Sequence, residues 1–317
     1  MAKKKRKLKK SVKIIALALI IIIILSIVGI NKYKEYLYHQ TYEYKLLEKG
    51  YVIDDTKLIL EKLDEEYINQ MLENDKDDNI IKFLKEKYFI KSNLDRYLAY
   101  LKKNKNEEIA KIVALVNTNR DYKYYENTKP TDMSKGNLIL VNKYNYLDKD
   151  YVPELVNVSS SYAYANNKCS KEVLDAFISM ASSAKEEDIT LVINSSYRSY
   201  DDQEEVWSSR KAMSGTQKAD AYAARAGFSE HQSGLAIDIA QYGITYSDFE
   251  ETKAFAWLSS NAYKYGFILR YTKDAEDITG YSYESWHYRY VGTSVAKQIY
   301  SENITFDEYY AYYIENK

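Results

Sequence analysis

Two of the three histidines in this 317-residue chain lie in short polar motifs that could bind a metal ion. His231 and Asp238 belong to the stretch Ser-Glu-His-Gln-Ser-Gly-Leu-Ala-Ile-Asp. His287 ends the stretch Glu-Ser-Trp-His, which begins at Glu284. Two imidazoles, one carboxylate and an open position for water are typical of catalytic zinc. We therefore predict that His231, Asp238 and His287 bind Zn²⁺, and that Glu284 is the carboxylate that moves a proton during hydrolysis.

Each of these residues also has a purely structural explanation. A single buried histidine is usually hydrogen-bonded within the core, and Asp238 could be paired with Arg198. Glu284 and His287 are three residues apart, so on an ideal strand their side chains would point to opposite faces. They converge only if the backbone bulges or turns near Ser285, which we predict.

A second group of polar residues follows a predicted strand. Residues 189–194 (Ile-Thr-Leu-Val-Ile-Asn) are apolar and β-branched, and Ser-Ser-Tyr-Arg-Ser-Tyr comes next. Ser199 followed by Asp202 is typical of a capping box at a helix start. Arg198 and Gln203 are therefore predicted to lie on either side of one strand-to-helix corner.

The strand predicted at 235–239 presents Asp238 on the same face as Ala236 and Ala240, whose small side chains leave room beside the carboxylate. Strands and helices without a regular β-α-β alternation favour an α+β fold, an antiparallel sheet flanked by helices. Periodicity predicts further strands at 137–141, 267–271 and 286–291. Capping and periodicity predict four helices: one begins at Ser170, one covers 217–226, one runs from the capping box Ser247–Glu250 to about Gly266, and one covers 306–314.

The N-terminus has the pattern of a membrane anchor. Residues 1–13 contain eight Lys or Arg and no acidic residue, and residues 14–30 carry no charge. Seventeen apolar residues are at the short end of what spans a bilayer, and the basic flank predicts a cytoplasmic N-terminus. A cleaved signal peptide is the alternative, although no clear cleavage site follows.

Charge and cysteine content argue against a nucleic-acid-binding protein and against a protein built on disulfides or cysteine clusters. Residues 14–317 hold 37 basic and 46 acidic residues, and this acidic balance argues against nucleic acid as a partner. Cys169 is the only cysteine, so neither an intramolecular disulfide nor a cysteine-rich metal cluster can form.

Changes in charge, hydrophobicity and helical periodicity along the chain predict five regions. They are a cytoplasmic basic tail (1–13), a transmembrane anchor (14–30), a helical spacer (31–118), a linker that includes Pro130 (119–135) and a catalytic domain (136–317). The spacer could also bind the cell wall or a partner protein.

With three motifs in this order, the chain resembles the D-alanyl-D-alanine carboxypeptidase family of zinc peptidases, which includes VanY-type and bacterial L,D-carboxypeptidase enzymes. The motifs are Ser-Tyr-Arg-Ser with Gln five residues after the Arg, Ser-x-His-x6-Asp and Glu-x-Trp-His. The resemblance covers residues 136–303. It implies an α+β fold, zinc bound by His231, Asp238 and His287, Glu284 as the catalytic acid and base, and substrate held by Arg198, Gln203 and Ser229. Arg198 could also help to stabilise the developing oxyanion.

The function implied by the resemblance is removal of C-terminal D-alanine from peptidoglycan stem peptides, outside the cytoplasm. Two alternatives stay open. The enzyme could cleave the L,D bond of a tetrapeptide stem, or the chain could be an inactive protein that binds the cell wall. Residue types and spacing do not distinguish D,D from L,D specificity.

Overall fold

The computed structural model describes residues 9–164, 166–244 and 246–315. The chain divides between Leu94 and Asp95 into two compact units. The helices before this division are α1 (Lys10–His39), α2 (Tyr42–Glu48), α3 (Ile53–Lys62), α4 (Glu65–Glu73) and α5 (Asp78–Leu84).

Helix α1 contains the predicted apolar segment 14–30 and continues beyond it on both sides. It has 30 residues, and the mean hydropathy of its apolar window is 3.1. At 1.5 Å per residue it is about 45 Å long, more than the hydrocarbon thickness of a bilayer. Within the described part of the chain, it is the one helix long and apolar enough to cross a membrane.

The short helices of the first unit begin at side-chain caps and bury apolar residues. Thr41 accepts a hydrogen bond from the backbone N–H of Tyr44, and Asp64 accepts one from that of Tyr67. These caps satisfy N–H groups that have no partner inside the helix. The buried side chains include Leu46, Ile59, Ile68, Met71, Phe83 and Leu84.

The second unit combines helices with a four-stranded antiparallel sheet, which confirms the predicted α+β fold class. Its helices are α6 (Leu94–Lys103), α7 (Ile109–Asn117), α8 (Lys171–Lys185), α9 (Tyr200–Ser214), α10 (Thr216–Tyr222), α11 (Lys253–Asn261), α12 (Glu276–Thr279), α13 (Thr293–Glu302) and α14 (Phe306–Tyr310). Its strands are β1 (Lys129–Pro130), β2 (Asn145–Tyr146), β3 (Val156–Asn157), β4 (Lys168–Cys169), β5 (Leu191–Ser195), β6 (Ala236–Gln241), β7 (Phe267–Leu269) and β8 (His287–Tyr290).

The main sheet has the strand order β5-β6-β8-β7. One face of it packs on the larger hydrophobic core, to which β6 contributes Ile237 and Ile239 and β8 contributes Tyr288. Side chains alternate along a strand, so Asp238 and His287 lie on the opposite face. The sheet thus separates an apolar core on one side from the polar residues on the other.

Helix α8 covers the apolar face of the sheet. Ser170 accepts a hydrogen bond from the backbone N–H of Val173, as the sequence predicts. The buried side of the helix carries Val173, Phe177, Met180, Ala181 and Ala184. This helix and the strands therefore form one continuous core.

One predicted element is wrong, and another begins later than predicted but ends at Gly266 as expected. Residues 137–141 do not form a strand, because Arg289 donates hydrogen bonds from its guanidinium to the carbonyls of Asn137 and Ile139. The helix predicted from residue 247 begins only at Lys253, where Thr252 is the cap, and a 3-10 turn precedes it.

The segment predicted as a linker is ordered within the second unit. Its strand β1 pairs with β2, and Thr131 donates a hydrogen bond to the carbonyl of Leu140 at 2.6 Å. The boundary at 119–135 between the spacer and the catalytic domain stays a prediction, since a compact unit is not the same as a functional domain.

Substitution of Gly266 with alanine is expected to destabilise the second unit. Gly266 has φ of +88°, and an added Cβ would lie 2.6 Å from Cε2 of Tyr290. A left-handed conformation costs a non-glycine residue about 1–3 kcal/mol, and the clash adds to this cost. Chemical denaturation followed by tryptophan fluorescence measures the change, because all three tryptophans lie after Asp95.

Gly243 provides the control for that substitution. Its φ is +81°, it is the third residue of the turn closed by the hydrogen bond from the Ile244 N–H to the Gln241 carbonyl, and nothing lies within 4 Å of an added Cβ. Gly243→Ala should therefore show only the cost of a left-handed backbone. An equal loss of stability in both variants would contradict the role assigned to the close approach of Tyr290.

Candidate active site

Three predicted metal ligands converge on the polar face of the sheet. Asp238 of β6 and His287 of β8 are directly opposite each other in the strand register. His231 reaches them from a 3-10 turn, Glu230–Ser233, that leads into β6. One ligand atom from each of the three side chains lies within 4.8 Å of the others. Residues far apart in the chain are therefore brought to one point by strand pairing.

The distances within this group fit a tetrahedral metal. Oδ1 of Asp238 lies 3.1 Å from Nδ1 of His287 and 3.5 Å from Nε2 of His231. Ligands at about 2.1 Å from a tetrahedral zinc are about 3.4 Å apart. The donor set of two imidazoles and one carboxylate also suits Zn²⁺, and these three residues leave a fourth position open.

Hydrogen bonds fix the orientation of the first imidazole. Nδ1 of His231 lies 2.6 Å from the backbone carbonyl oxygen of Ser196, so it donates its proton there and Nε2 faces Asp238. A second partner that fixes the tautomer is usual for a metal-binding histidine. Burial lowers the pKa of His231, with Asp238 opposing the shift, and the neutral form is the one that binds metals.

The second imidazole is flanked by carboxylates. Burial disfavours the charged form of His287, but hydrogen bonds to Asp238 and Glu230 outweigh it and raise its pKa to about 9. Burial also disfavours the charged form of Asp238, yet the two histidines hold its pKa well below the usual range. Asp238 is therefore an anion between two imidazoles, as a metal ligand must be.

Glu284 lies beside the three converging residues without belonging to them. The backbone N–H of His287 donates to the carbonyl of Glu284 at 3.4 Å, which is the turn predicted near Ser285. This turn brings Oε2 of Glu284 to 3.9 Å from Nδ1 of His287. Burial raises the pKa of Glu284 to about 7, although His287 opposes the shift. A carboxyl with such a pKa can both accept and release a proton near neutral pH.

Arg198 is held at the corner between β5 and α9. Ser199 and Asp202 form the predicted capping box, and Gln203 follows them, buried in the first turn of α9. The guanidinium of Arg198 donates to Oε1 of Gln203 at 2.8 Å and to Oγ of Ser195 at 3.2 Å. Two such contacts restrict the rotation of the side chain, which leaves a planar cation ready to bind an anion.

All seven predicted site residues line one cavity of about 220 Å³. Besides those already described, the set includes Ser229, which is 5% exposed. Rings of Tyr246 and Trp286, whose centroids are 5.0 Å apart, form part of the wall. The cavity therefore combines a metal-ligand group, a carboxyl and a cation with aromatic walls that could contact a small peptide.

A larger cavity of about 480 Å³ lies between α11, β7 and α13, and its lining is chemically different. Its wall includes Leu258, Phe267 and Tyr288, and none of the described residues that line it is a histidine, an acid, a lysine or an arginine. Size therefore does not identify the reactive site here, and the smaller cavity is the one with the required chemistry.

Sequence reasoning missed Glu230, Tyr246 and Trp286, which also line the smaller cavity. Glu230 precedes His231 directly, so its position in the motif was the available signal. Its partners Arg270 and Arg289 are 40 and 59 residues away, and only the folded sheet brings them to it.

Comparison with known proteins identifies the family. The profile described as VanY: D-alanyl-D-alanine carboxypeptidase matches residues 166–293. The putative carboxypeptidase YodJ of Bacillus subtilis is 41% identical over 184 residues, 55% of this chain and 66% of that protein. The D-alanyl-D-alanine carboxypeptidase of Enterococcus faecalis is 35% identical over 198 residues, 58% of this chain and 71% of that protein.

A solved structure agrees with this assignment. The LdcB LD-carboxypeptidase is 38% identical, with a TM-score of 0.55, over 60% of this chain and 92% of that one. The chain spans slightly less than two thirds of the Bacillus subtilis relative. The family predicted from the three motifs is confirmed: the chain belongs to the VanY D-alanyl-D-alanine carboxypeptidase family.

Proposed function

We propose that the protein is a membrane-anchored zinc carboxypeptidase that removes C-terminal D-alanine from peptidoglycan stem peptides. The convergence of His231, Asp238 and His287 beside Glu284, in a chain of this family, is the observation that carries the proposal. Release of D-alanine from a synthetic pentapeptide stem by the purified protein tests it. A protein that binds zinc but releases no amino acid from any stem peptide would contradict it.

His231, Asp238 and His287 would hold the zinc ion through Nε2, a carboxylate oxygen and Nδ1. Zinc at such a site supplies Lewis-acid polarisation of a carbonyl oxygen and lowers the pKa of a bound water molecule. These three residues are each at most 6% exposed, so the ion would be largely shielded from bulk solvent.

Glu284 is proposed as the general base and then the general acid. Its carboxylate would accept a proton from the attacking water, and the resulting carboxylic acid would protonate the leaving amine. The raised pKa supports this assignment, because the group must change its protonation state twice in each turnover.

Arg198 is proposed to bind the C-terminal carboxylate of the substrate, with Gln203 and Ser229 as further hydrogen-bonding groups. A planar guanidinium can form two parallel hydrogen bonds to a carboxylate. Gln203 is 1% exposed and its Nε2 donates to the carbonyl of Ala224 at 2.8 Å, so it orients Arg198. Contact of the same guanidinium with the developing oxyanion is the other role open to it.

Arg198→Lys is expected to lower kcat/KM about 10- to 100-fold, since it keeps the charge but loses one of two charged hydrogen bonds. Steady-state kinetics with a stem peptide and with its C-terminal amide measures the effect. Amidation should impair the wild type more than the variant, because lysine retains only one of the two charged hydrogen bonds to the carboxylate. Equal impairment of both proteins by amidation would show that Arg198 does not bind the carboxylate.

Cleavage of the L,D bond in a tetrapeptide stem is the second candidate activity. The likeness to the LdcB LD-carboxypeptidase, at 38% identity, favours it. Mass spectrometry of the products from a pentapeptide and a tetrapeptide stem, supplied separately, distinguishes the two activities. Loss of one residue from the pentapeptide alone would establish D,D specificity.

The proposed location is the outer side of the cell membrane. Helix α1 would span the bilayer, the basic residues 1–13 would stay in the cytoplasm, and residues 31–118 would act as a spacer before the catalytic domain at 136–317. Protease digestion of intact spheroplasts tests this topology, because the catalytic domain should be degraded without lysis. Protection of the domain until lysis would contradict it.

A further inference from the structure

A cluster of buried charges lies directly behind the metal-ligand group. Glu230, Arg270 and Arg289 are 1%, 2% and 0% exposed, and Asp307 of α14 is 3% exposed. Isolated buried charges are costly, but two cations and two anions in mutual contact compensate one another. The roles proposed for the site so far do not use any of these four residues.

Glu230 joins this cluster to the site through its two carboxylate oxygens. Oε1 accepts hydrogen bonds from Nε of Arg270 at 2.8 Å and from Nη1 of Arg289 at 3.0 Å. Oε2 lies 3.3 Å from Nε2 of His287. One carboxylate therefore contacts both arginines and the imidazole, and its position is set by the arginines.

The arginines are themselves anchored to distant parts of the second unit. Arg289 donates to the carbonyls of Asn137 and Ile139 at 2.9 and 2.8 Å. Arg270 donates to Oδ2 of Asp307 at 2.6 Å. Because each guanidinium has several fixed partners, Glu230 cannot shift without breaking contacts elsewhere.

We propose that Glu230 is a positioning residue, whose carboxylate accepts the Nε2–H of His287 and thereby keeps Nδ1 of that imidazole turned toward Asp238 and the metal. A histidine that binds a metal through one nitrogen commonly donates the other N–H to a carboxylate, which fixes its tautomer and orientation. His231 has a backbone carbonyl in this role, and His287 has Glu230. The proposal rests on the proposed zinc site.

Glu230→Gln tests this role with a side chain of the same shape. The amide oxygen can face the two arginines or the imidazole, but not both. If it stays with the arginines, the amide N–H₂ faces the Nε2–H of His287, and two donors oppose each other. We expect zinc affinity, measured in the full-length protein by competition with a chelator, to fall about 10- to 100-fold.

Asp307→Asn is the matched control. It also replaces one buried carboxylate that is bonded to Arg270, but Asp307 does not contact His287 in the structure. Its zinc affinity should stay within about threefold of wild type, even where thermal unfolding shows a loss of stability like that of Glu230→Gln. Equal weakening in both variants, or unchanged affinity in Glu230→Gln, would overturn the proposal. A wild type that binds no zinc would instead refute the proposed function on which it rests.

A measurement on the wild type tests the hydrogen bond itself if Glu230→Gln does not fold. The chain has three histidines, so ¹⁵N-histidine labelling gives few signals, and His39→Gln identifies one of them. In the zinc-loaded full-length protein we expect one imidazole protonated at Nδ1, which is His231, and one protonated at Nε2, which is His287. The His287 Nε2–H should exchange slowly with water, because the buried carboxylate of Glu230 accepts it. Exchange as fast as that of an exposed imidazole, in a protein that binds zinc, would overturn the proposal.

Discussion

Glu284→Gln is expected to lower kcat by about 10²–10⁴-fold while the protein still binds one zinc ion. The amide has the shape of the carboxyl group but cannot accept the proton of the attacking water, and general acid-base catalysis contributes a factor of this size. Zinc should remain, because three other side chains form the proposed ligand set. D-Alanine release and elemental analysis of the same preparation measure both quantities.

Glu251→Gln is the control for this substitution, because Glu251 is an exposed residue of the 3-10 turn before α11. It should retain wild-type activity and zinc content. Full activity in Glu284→Gln would reject Glu284 as the base. Loss of both activity and zinc would show instead that Glu284 is needed to assemble the metal site.

Asp238→Asn is expected to abolish both zinc binding and activity. Asp238 contacts both histidines, at 3.1 and 3.5 Å, and it supplies the negative charge of the ligand set. A neutral amide is a much weaker ligand for zinc, so affinity should fall by more than the factor of about 10–100 seen for residues that only support a ligand.

Thermal unfolding gives a second readout for Asp238→Asn. A ligand present at 100 times its dissociation constant stabilises the folded state by about 2.7 kcal/mol, so added zinc should raise the Tm of the wild type. The variant should show no such increase. The exposed residue Asp175 provides the control, since Asp175→Asn should respond to zinc as the wild type does. A zinc-dependent Tm in Asp238→Asn would reject Asp238 as a ligand.

Parts of the site that depend on local sequence could be predicted. The corner with Arg198 and Gln203 follows from a capping box, in which Ser199 and Asp202 bond to each other's backbone within one turn. The turn between Glu284 and His287 follows because residues three apart on a straight strand cannot share a face. In both cases the contacts span only a few residues.

Parts that depend on distant partners could not be predicted in the same way. The sequence does not specify the register of β6 and β8, in which Asp238 is opposite His287 and not opposite a residue next to it. The apolar residues at 137–141 are typical of a strand, but their backbone carbonyls bond to Arg289 instead. Glu230 was missed for the same reason, since its role depends on two arginines from β8 and the end of β7.

Because Asp238 pairs directly with His287, the proposed zinc site would make metal uptake a test of correct folding. A slip of one residue between β6 and β8 would send the aspartate and the histidine to opposite faces of the sheet, because side chains alternate along each strand. A chain misaligned in this way could retain most of its backbone pairing and still capture no ion. At the proposed site the metal would therefore stabilise a single alignment of segments 49 residues apart, and it could bind only after those segments have paired.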